Sequence, residues 1–155
     1  MIEDGDKAPG FKLASDAGDV LELPKFKGKP VVLYFYPKDD TSGCTAEAKD
    51  FTRLATDFRK AGAEVIGVSP DSVESHAKFR KKYDLGVRLG ADPDKAVAMA
   101  YGVWVEKSMY GRKYMGVERA TFLIDGKGRI ARSWRKVKVP GHAEEVLVAV
   151  RELGS

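Results

Sequence analysis

The sequence predicts an α/β domain in which a mixed sheet is covered by helices on both sides. Three observations carry this. Val31 to Tyr36 and Val65 to Val68 are unbroken apolar runs rich in β-branched and aromatic residues, the pattern of strands buried on both faces. Each run is followed by a segment with helical spacing of its apolar residues. A hairpin pattern and an amphipathic helix then close the chain. With 155 residues, 43% of them hydrophobic and 32% charged, the chain is long enough to bury a core and is expected to form one domain over 1–155.

The elements follow in order. Phe11 to Leu13 and Val20 to Leu23 flank Asp16-Ala17-Gly18-Asp19, a turn composition, and read as a small N-terminal strand unit. The Val31 to Tyr36 strand ends at Pro37. A helix is expected from about Gly43 to Ala61, with Gly62 as its stop. Glu64 to Ser69 is the next strand, ended by Pro70, and Ser72 opens a helix to about Tyr83. Asp92 caps a short helix with Pro93 at its first position and Gly102 after its end. Thr121 to Ile124 and Arg129 to Trp134 form a hairpin around Asp125-Gly126-Lys127-Gly128. Pro140 and Gly141 introduce a last helix with Val146, Leu147, Val150 and Leu153 as its apolar stripe. This order matches a thioredoxin-like fold with an insertion before the final hairpin.

The net charge of +4 is unevenly spread. Between Glu106 and Lys138 there are ten lysines and arginines against three acidic residues. With Tyr110, Tyr114 and Trp134 this stretch has the composition of a nucleic-acid surface, but solvated strand and loop is the favoured reading. Its charge would concentrate an anionic substrate or partner. The acidic start has no apolar core of a signal peptide, and no run reaches the length of a membrane span, so a soluble cytoplasmic protein is expected.

Cys44 is the one cysteine. It follows the strand and turn Phe35-Tyr36-Pro37-Lys38-Asp39-Asp40-Thr41-Ser42-Gly43 and lies in the first helical turn. Unpaired N–H groups and the positive end of the helix dipole there favour the thiolate, the attacking form. Cys44, Ala48, Phe51, Ala55 and Phe58 share one helix face, so the sulfur should lie partly buried at the edge of the core. Burial opposes ionisation, and the helix start, the Thr41 hydroxyl and a nearby cation are the available compensations. Pro37 would end the strand and shield the sulfur without a competing N–H. No metal or cofactor site is expected. His76 and His142 have no ligand spacing with Cys44, and His76 is read as exposed. Glu47, read as a first-turn residue, is assigned to complementing the helix dipole.

Pro37, Thr41 and Cys44 match the Pro-x-x-x-Thr-x-x-Cys motif, and on it the chain resembles the peroxiredoxins. Gly5 to Phe11, Val65 to Ser69 and Glu118 to Asp125 extend the resemblance over nearly the whole chain. The Gly-Cys-Thr-x-Glu-Ala sequel and Arg135 to His142 resemble the Q-type, or bacterioferritin comigratory, subfamily. The resemblance implies a thioredoxin fold with Cys44 as peroxidatic cysteine and Arg119 as active-site arginine. The implied chemistry is in-line attack on a hydroperoxide to give a sulfenic acid. A thiol of pKa about 8.5 is roughly 3% ionised at neutral pH, so ionisation alone gains only about thirtyfold. The rest must come from donors to the peroxide oxygens: the Cys44 N–H, Thr41 and Arg119.

Many Q-type relatives carry a resolving cysteine five residues after the peroxidatic one. Here that position is Lys49, about 140° around the helix from Cys44. With one cysteine in these 155 residues no intrachain disulfide can form. The expected partners are therefore a hydroperoxide and an external thiol (thioredoxin, glutaredoxin or a small thiol), with a monomer or weak dimer and no nucleic acid or membrane. The competing expectation is a redox sensor or binding protein that uses Cys44 without turnover.

Overall fold

The computed structural model describes residues 2–154. Its strands are β1 (Lys12–Ser15), β2 (Val20–Glu22), β3 (Val31–Phe35), β4 (Glu64–Ser69), β5 (Arg88–Ala91), β6 (Trp104–Met109), β7 (Arg112–Val117), β8 (Ala120–Ile124) and β9 (Ile130–Trp134). The helices are α1 (Ser42–Arg53), α2 (Ala55–Lys60), α3 (Val73–Tyr83), α4 (Ala96–Ala100) and α5 (His142–Leu153). Seven strands form one sheet in the order β2-β1-β5-β4-β3-β8-β9, parallel at β3/β4 and β4/β5 and antiparallel elsewhere. This is the expected mixed sheet with an N-terminal strand extension.

The period-2 alternation of β3 divides the core. Val32, Tyr34 and Tyr36 face the layer that includes α1, α2, α3 and α5, with Phe51, Phe58, Phe79 and Val146. Val31, Leu33 and Phe35 face the other layer, with Tyr101, Val103 and Phe122. Every residue of β3 is buried, which is why its sequence reads as a continuous apolar run. Gly67 on β4 is required by this packing: a Cβ there would meet the Tyr34 ring at 2.6 Å.

The structure departs from the expected elements in four places. The first long helix is interrupted at Leu54, which separates α1 from α2, while the bonds from Leu54 N to Asp50 O and from Phe58 N to Leu54 O bridge the break. The helix after Asp92 begins at Ala96, and the Asp92 carboxylate accepts from the Val97 and Ala98 amides. β5 was not expected, because it is short and contains Gly90, whose missing side chain admits Leu13. The insertion is itself a hairpin, β6–β7, closed by Tyr110 and Gly111 in left-handed conformations. Most of its residues are exposed on both faces, so it lacks the alternation that marks a strand. Among the described residues no helix is long and apolar enough to cross a membrane.

Candidate active site

The site is built where β3 stops. Tyr36 N still bonds to Val68 O at 3.0 Å, and Pro37, with no N–H, ends the ladder. The chain turns through Asp40, at φ +59°, and enters α1 at its N-cap residue, Thr41. The Thr41 carbonyl accepts the Thr45 amide at 2.8 Å, while its hydroxyl gives its hydrogen to Lys38 O at 2.8 Å, which corrects the expectation that it donates to the thiolate or the peroxide. Cys44 is the third residue of α1 and is 2% exposed, deeper than the partial burial its helix face implies.

Arg119 reaches this point through strand pairing. β8 runs antiparallel to β3 with Ala120 opposite Phe35, so the residue before β8 lies beside the end of β3. Its Nη2 donates to Cys44 Sγ at 3.3 Å and its Nη1 to Glu47 Oε1 at 2.7 Å. Gly43 makes room for this, since a Cβ there would lie 3.2 Å from Nη2. The structure thus brings Cys44 and Arg119 together. Pro37 and Thr41 lie on the adjoining loop, with the Thr41 hydroxyl bonded to Lys38.

Glu47 differs from its expected role. It lies beyond the first turn of α1, 2% exposed, and one carboxylate oxygen is spent on Arg119. Burial pushes its carboxyl up to about 7, against the pull of the Arg119 guanidinium. Burial also works against the charge on Arg119, but Glu47 and Cys44 more than offset it and hold the guanidinium protonated. Three buried oxygens at or near this site, Tyr34 OH, Thr45 Oγ1 and Glu47 Oε2, have no partner among the described residues. The three-residue step from Cys44 to Glu47, which puts both on one helix face, was the available signal.

Neither histidine is solvated. His142, in the first turn of α5, lies 2.7 Å from Thr121 Oγ1 through Nε2 and edge-on to Phe51 and Trp134; burial lowers its pKa to about 4. His76 is fully buried, correcting the exposed placement. The reason lies in α3 itself: His76, Phe79 and Tyr83 step by three and four, so the histidine lies on the packed face.

The AhpC/TSA family profile matches residues 5–133. The chain is similar to Bacillus subtilis peroxiredoxin Bcp, 48% identical over 152 residues, covering 98% of this chain and 97% of that protein. It resembles a solved cysteine-to-serine variant of Xylella fastidiosa PrxQ (38% identity, TM-score 0.94, covering 100% of this chain and 99% of that one). It also resembles a solved Xanthomonas campestris bacterioferritin comigratory protein, described for its alkyl peroxide reduction activity (43% identity, TM-score 0.89, covering 94% and 92%). The chain belongs to the AhpC/TSA family, as a thiol-dependent peroxidase of the Bcp peroxiredoxin type.

Proposed function

We propose that Cys44 is the nucleophile of this peroxidase, and that Arg119, Thr41 and the Cys44 amide hold the peroxide while Pro37 shields the sulfur. The observation that carries the reading is the 3.3 Å contact from Arg119 Nη2 to Cys44 Sγ in the first turn of α1. A guanidinium at that distance stabilises the thiolate and the negative charge that moves onto the peroxide oxygens.

The sulfur attacks the near oxygen of the hydroperoxide. An S–O bond forms, the O–O bond breaks, and its electron pair leaves on the far oxygen as hydroxide or alkoxide, which takes a proton to give water or alcohol. Cys44 is left as a sulfenic acid. The Thr41 hydroxyl spends its hydrogen on Lys38 O, so its oxygen is free to accept the O–H of the hydroperoxide. Arg119 and the Cys44 amide then donate from the other side, where charge develops.

Hydrogen peroxide and organic hydroperoxides are the substrates in this reading, in keeping with the alkyl peroxide activity described for the Xanthomonas relative. The sulfenic acid is reduced by an external thiol, thioredoxin, glutaredoxin or a small thiol, since these 155 residues hold no second cysteine. A cytoplasmic monomer or weak dimer serving antioxidant defence fits that chemistry, because a reducing compartment keeps thiol available. Peroxide loss with excess dithiothreitol tests the reading. Sustained turnover supports it, whereas one equivalent consumed and then silence favours a redox sensor.

A further inference from the structure

Beside the loop of residues 37–41 lies a second buried polar cluster that this chemistry does not use. The Asp39 carboxylate is met three times: by Tyr36 OH at 2.6 Å on Oδ1, by Ser75 Oγ at 2.8 Å on Oδ2, and by His76 Nδ1 at 2.7 Å on Oδ2. The other ring nitrogen of His76 lies 3.1 Å from the Gly90 carbonyl oxygen. A carbonyl only accepts, so Nε2 carries a hydrogen. The contact between Nδ1 and Oδ2 then holds a proton of its own, as imidazolium with carboxylate or as imidazole with carboxylic acid.

The backbone of the loop is held as well. Asp39 N donates to Asp71 Oδ2 at 2.8 Å, and the same oxygen accepts from Ser69 Oγ at 2.6 Å. Asp40, in its left-handed conformation, is bound by Tyr83 OH at 2.5 Å and Lys82 Nζ at 2.7 Å. Asp39, Asp71 and His76 place ligand-type atoms within 4.8 Å of one another. Those atoms are engaged in hydrogen bonds, so the cluster is a scaffold for the loop rather than a cation site. Four residues of α3 (Ser75, His76, Lys82 and Tyr83) and Asp71 just before it therefore fix the two residues that precede Thr41.

We propose that His76 and Asp39 are positioning residues for the peroxidase reaction: their buried, proton-sharing contact sets the path of residues 39–41 and so aims the Thr41 hydroxyl and the first turn of α1 at the peroxide. The proposal rests on the reading of Cys44 as nucleophile. Alkylation of Cys44 needs only an accessible thiolate, whereas peroxide attack needs the loop as well, and this separates positioning from general damage.

The experiment measures two second-order constants on the full chain, for Cys44 oxidation by hydrogen peroxide and for its alkylation by iodoacetamide. His76→Ala should slow peroxide attack about tenfold to a hundredfold and leave alkylation within about twofold. His76→Gln, whose amide can donate to Asp39 but not at the same time to Gly90, should recover part of the loss. Peroxide attack unchanged in a folded His76→Ala, or an equal fall in both constants, overturns the proposal. Should that variant fail to fold, Tyr36→Phe removes one donor to Asp39. A selective fall of about threefold in peroxide attack then supports positioning, and an unchanged ratio overturns it. Cys44→Ser run alongside separates the two readings, because turnover by that variant would refute the nucleophile assignment whatever His76 does.

Discussion

The two buried polar clusters at the loop between β3 and α1 are satisfied to different degrees. In the Asp39–His76 cluster, both carboxylate oxygens and both ring nitrogens face a partner. Around Cys44 the balance is incomplete: Arg119 divides its donors between a sulfur and one oxygen of Glu47, and Tyr34 OH, Thr45 Oγ1 and Glu47 Oε2 have no described partner. Each unpaired buried polar group costs about 1–3 kcal/mol. The region read as reactive thus carries unfavourable burial, and the region read as scaffold is closely paired. Unmet hydrogen bonds collect where charge must move, and neighbouring packing holds them there.

The largest effect that sharpens this contrast is at the sulfur. Cys44→Ser should abolish peroxide reduction with the circular dichroism spectrum unchanged, because serine is nearly isosteric but un-ionised at neutral pH. Next, Arg119→Ala should slow Cys44 oxidation about a hundredfold to a thousandfold in stopped flow. Iodoacetamide alkylation should fall with it, since in the proposed mechanism the guanidinium 3.3 Å from Sγ also stabilises the thiolate. That parallel fall is the opposite of the selective loss expected for His76→Ala. If Arg119→Ala changed neither constant, the arginine would be a structural partner of Glu47 alone.

The pH dependence of stability breaks the site into two opposing parts. Glu47 has a folded pKa near 7, raised by burial from 4.5, so its contribution is fully present below pH 4.5 and is lost as pH rises through 7. His142 is shifted the other way, from 6.5 to about 4, also by burial, so its contribution is present above pH 6.5 and is lost as pH falls through 4. Each shift corresponds to as much as about 3 kcal/mol. Urea unfolding of Glu47→Gln relative to the parent should show a stability gain that grows from pH 4.5 to 7.5, and His142→Gln a gain that grows from pH 6.5 to 4. Parallel pH profiles for the parent and either variant would contradict the assignment of that group.

The smallest effect is steric. Gly43→Ala puts a methyl group 3.2 Å from the Arg119 Nη2 position, and the flexible guanidinium can yield by a few tenths of an ångström. Helix propensity favours the substitution by about 1 kcal/mol. A protein as stable as the parent but several-fold slower toward peroxide is therefore expected, and an unchanged rate would mean that the exact seat of the guanidinium matters little.

How much of this was legible depends on where each side chain points. Val31 to Tyr36 could be read because burial on both faces leaves an apolar run, and Ser72 because its hydroxyl caps α3 by accepting from Ser75 N. The hairpin β6–β7 was hidden because most of it is exposed, and β5 because Gly90 yields its volume to Leu13. At the site, the place of Cys44 at a helix start followed from strand, turn and spacing. Arg119 came only through the family resemblance, since its approach depends on the pairing of Ala120 with Phe35 across a long sequence separation. His76 and Asp39 were missed for a related reason. Asp39 and His76 meet across the separation between the loop after β3 and α3, Gly90 lies on β5, and a polar residue on a packed helix face gives no sign of its partner in advance.

The central claim, that Cys44 takes an oxygen from the peroxide as a sulfenic acid and that an outside thiol reduces it with loss of water, is tested most directly by intact-mass and peptide mapping after one equivalent of hydrogen peroxide with dimedone present. The expected product is a single dimedone adduct per chain on the Cys44 peptide. Without a trapping agent, excess peroxide should add two oxygen atoms to the same residue and stop turnover. A Cys44 peptide that stays a free thiol while peroxide is consumed would contradict the account, and so would prompt, quantitative disulfide dimer with no oxygenated species.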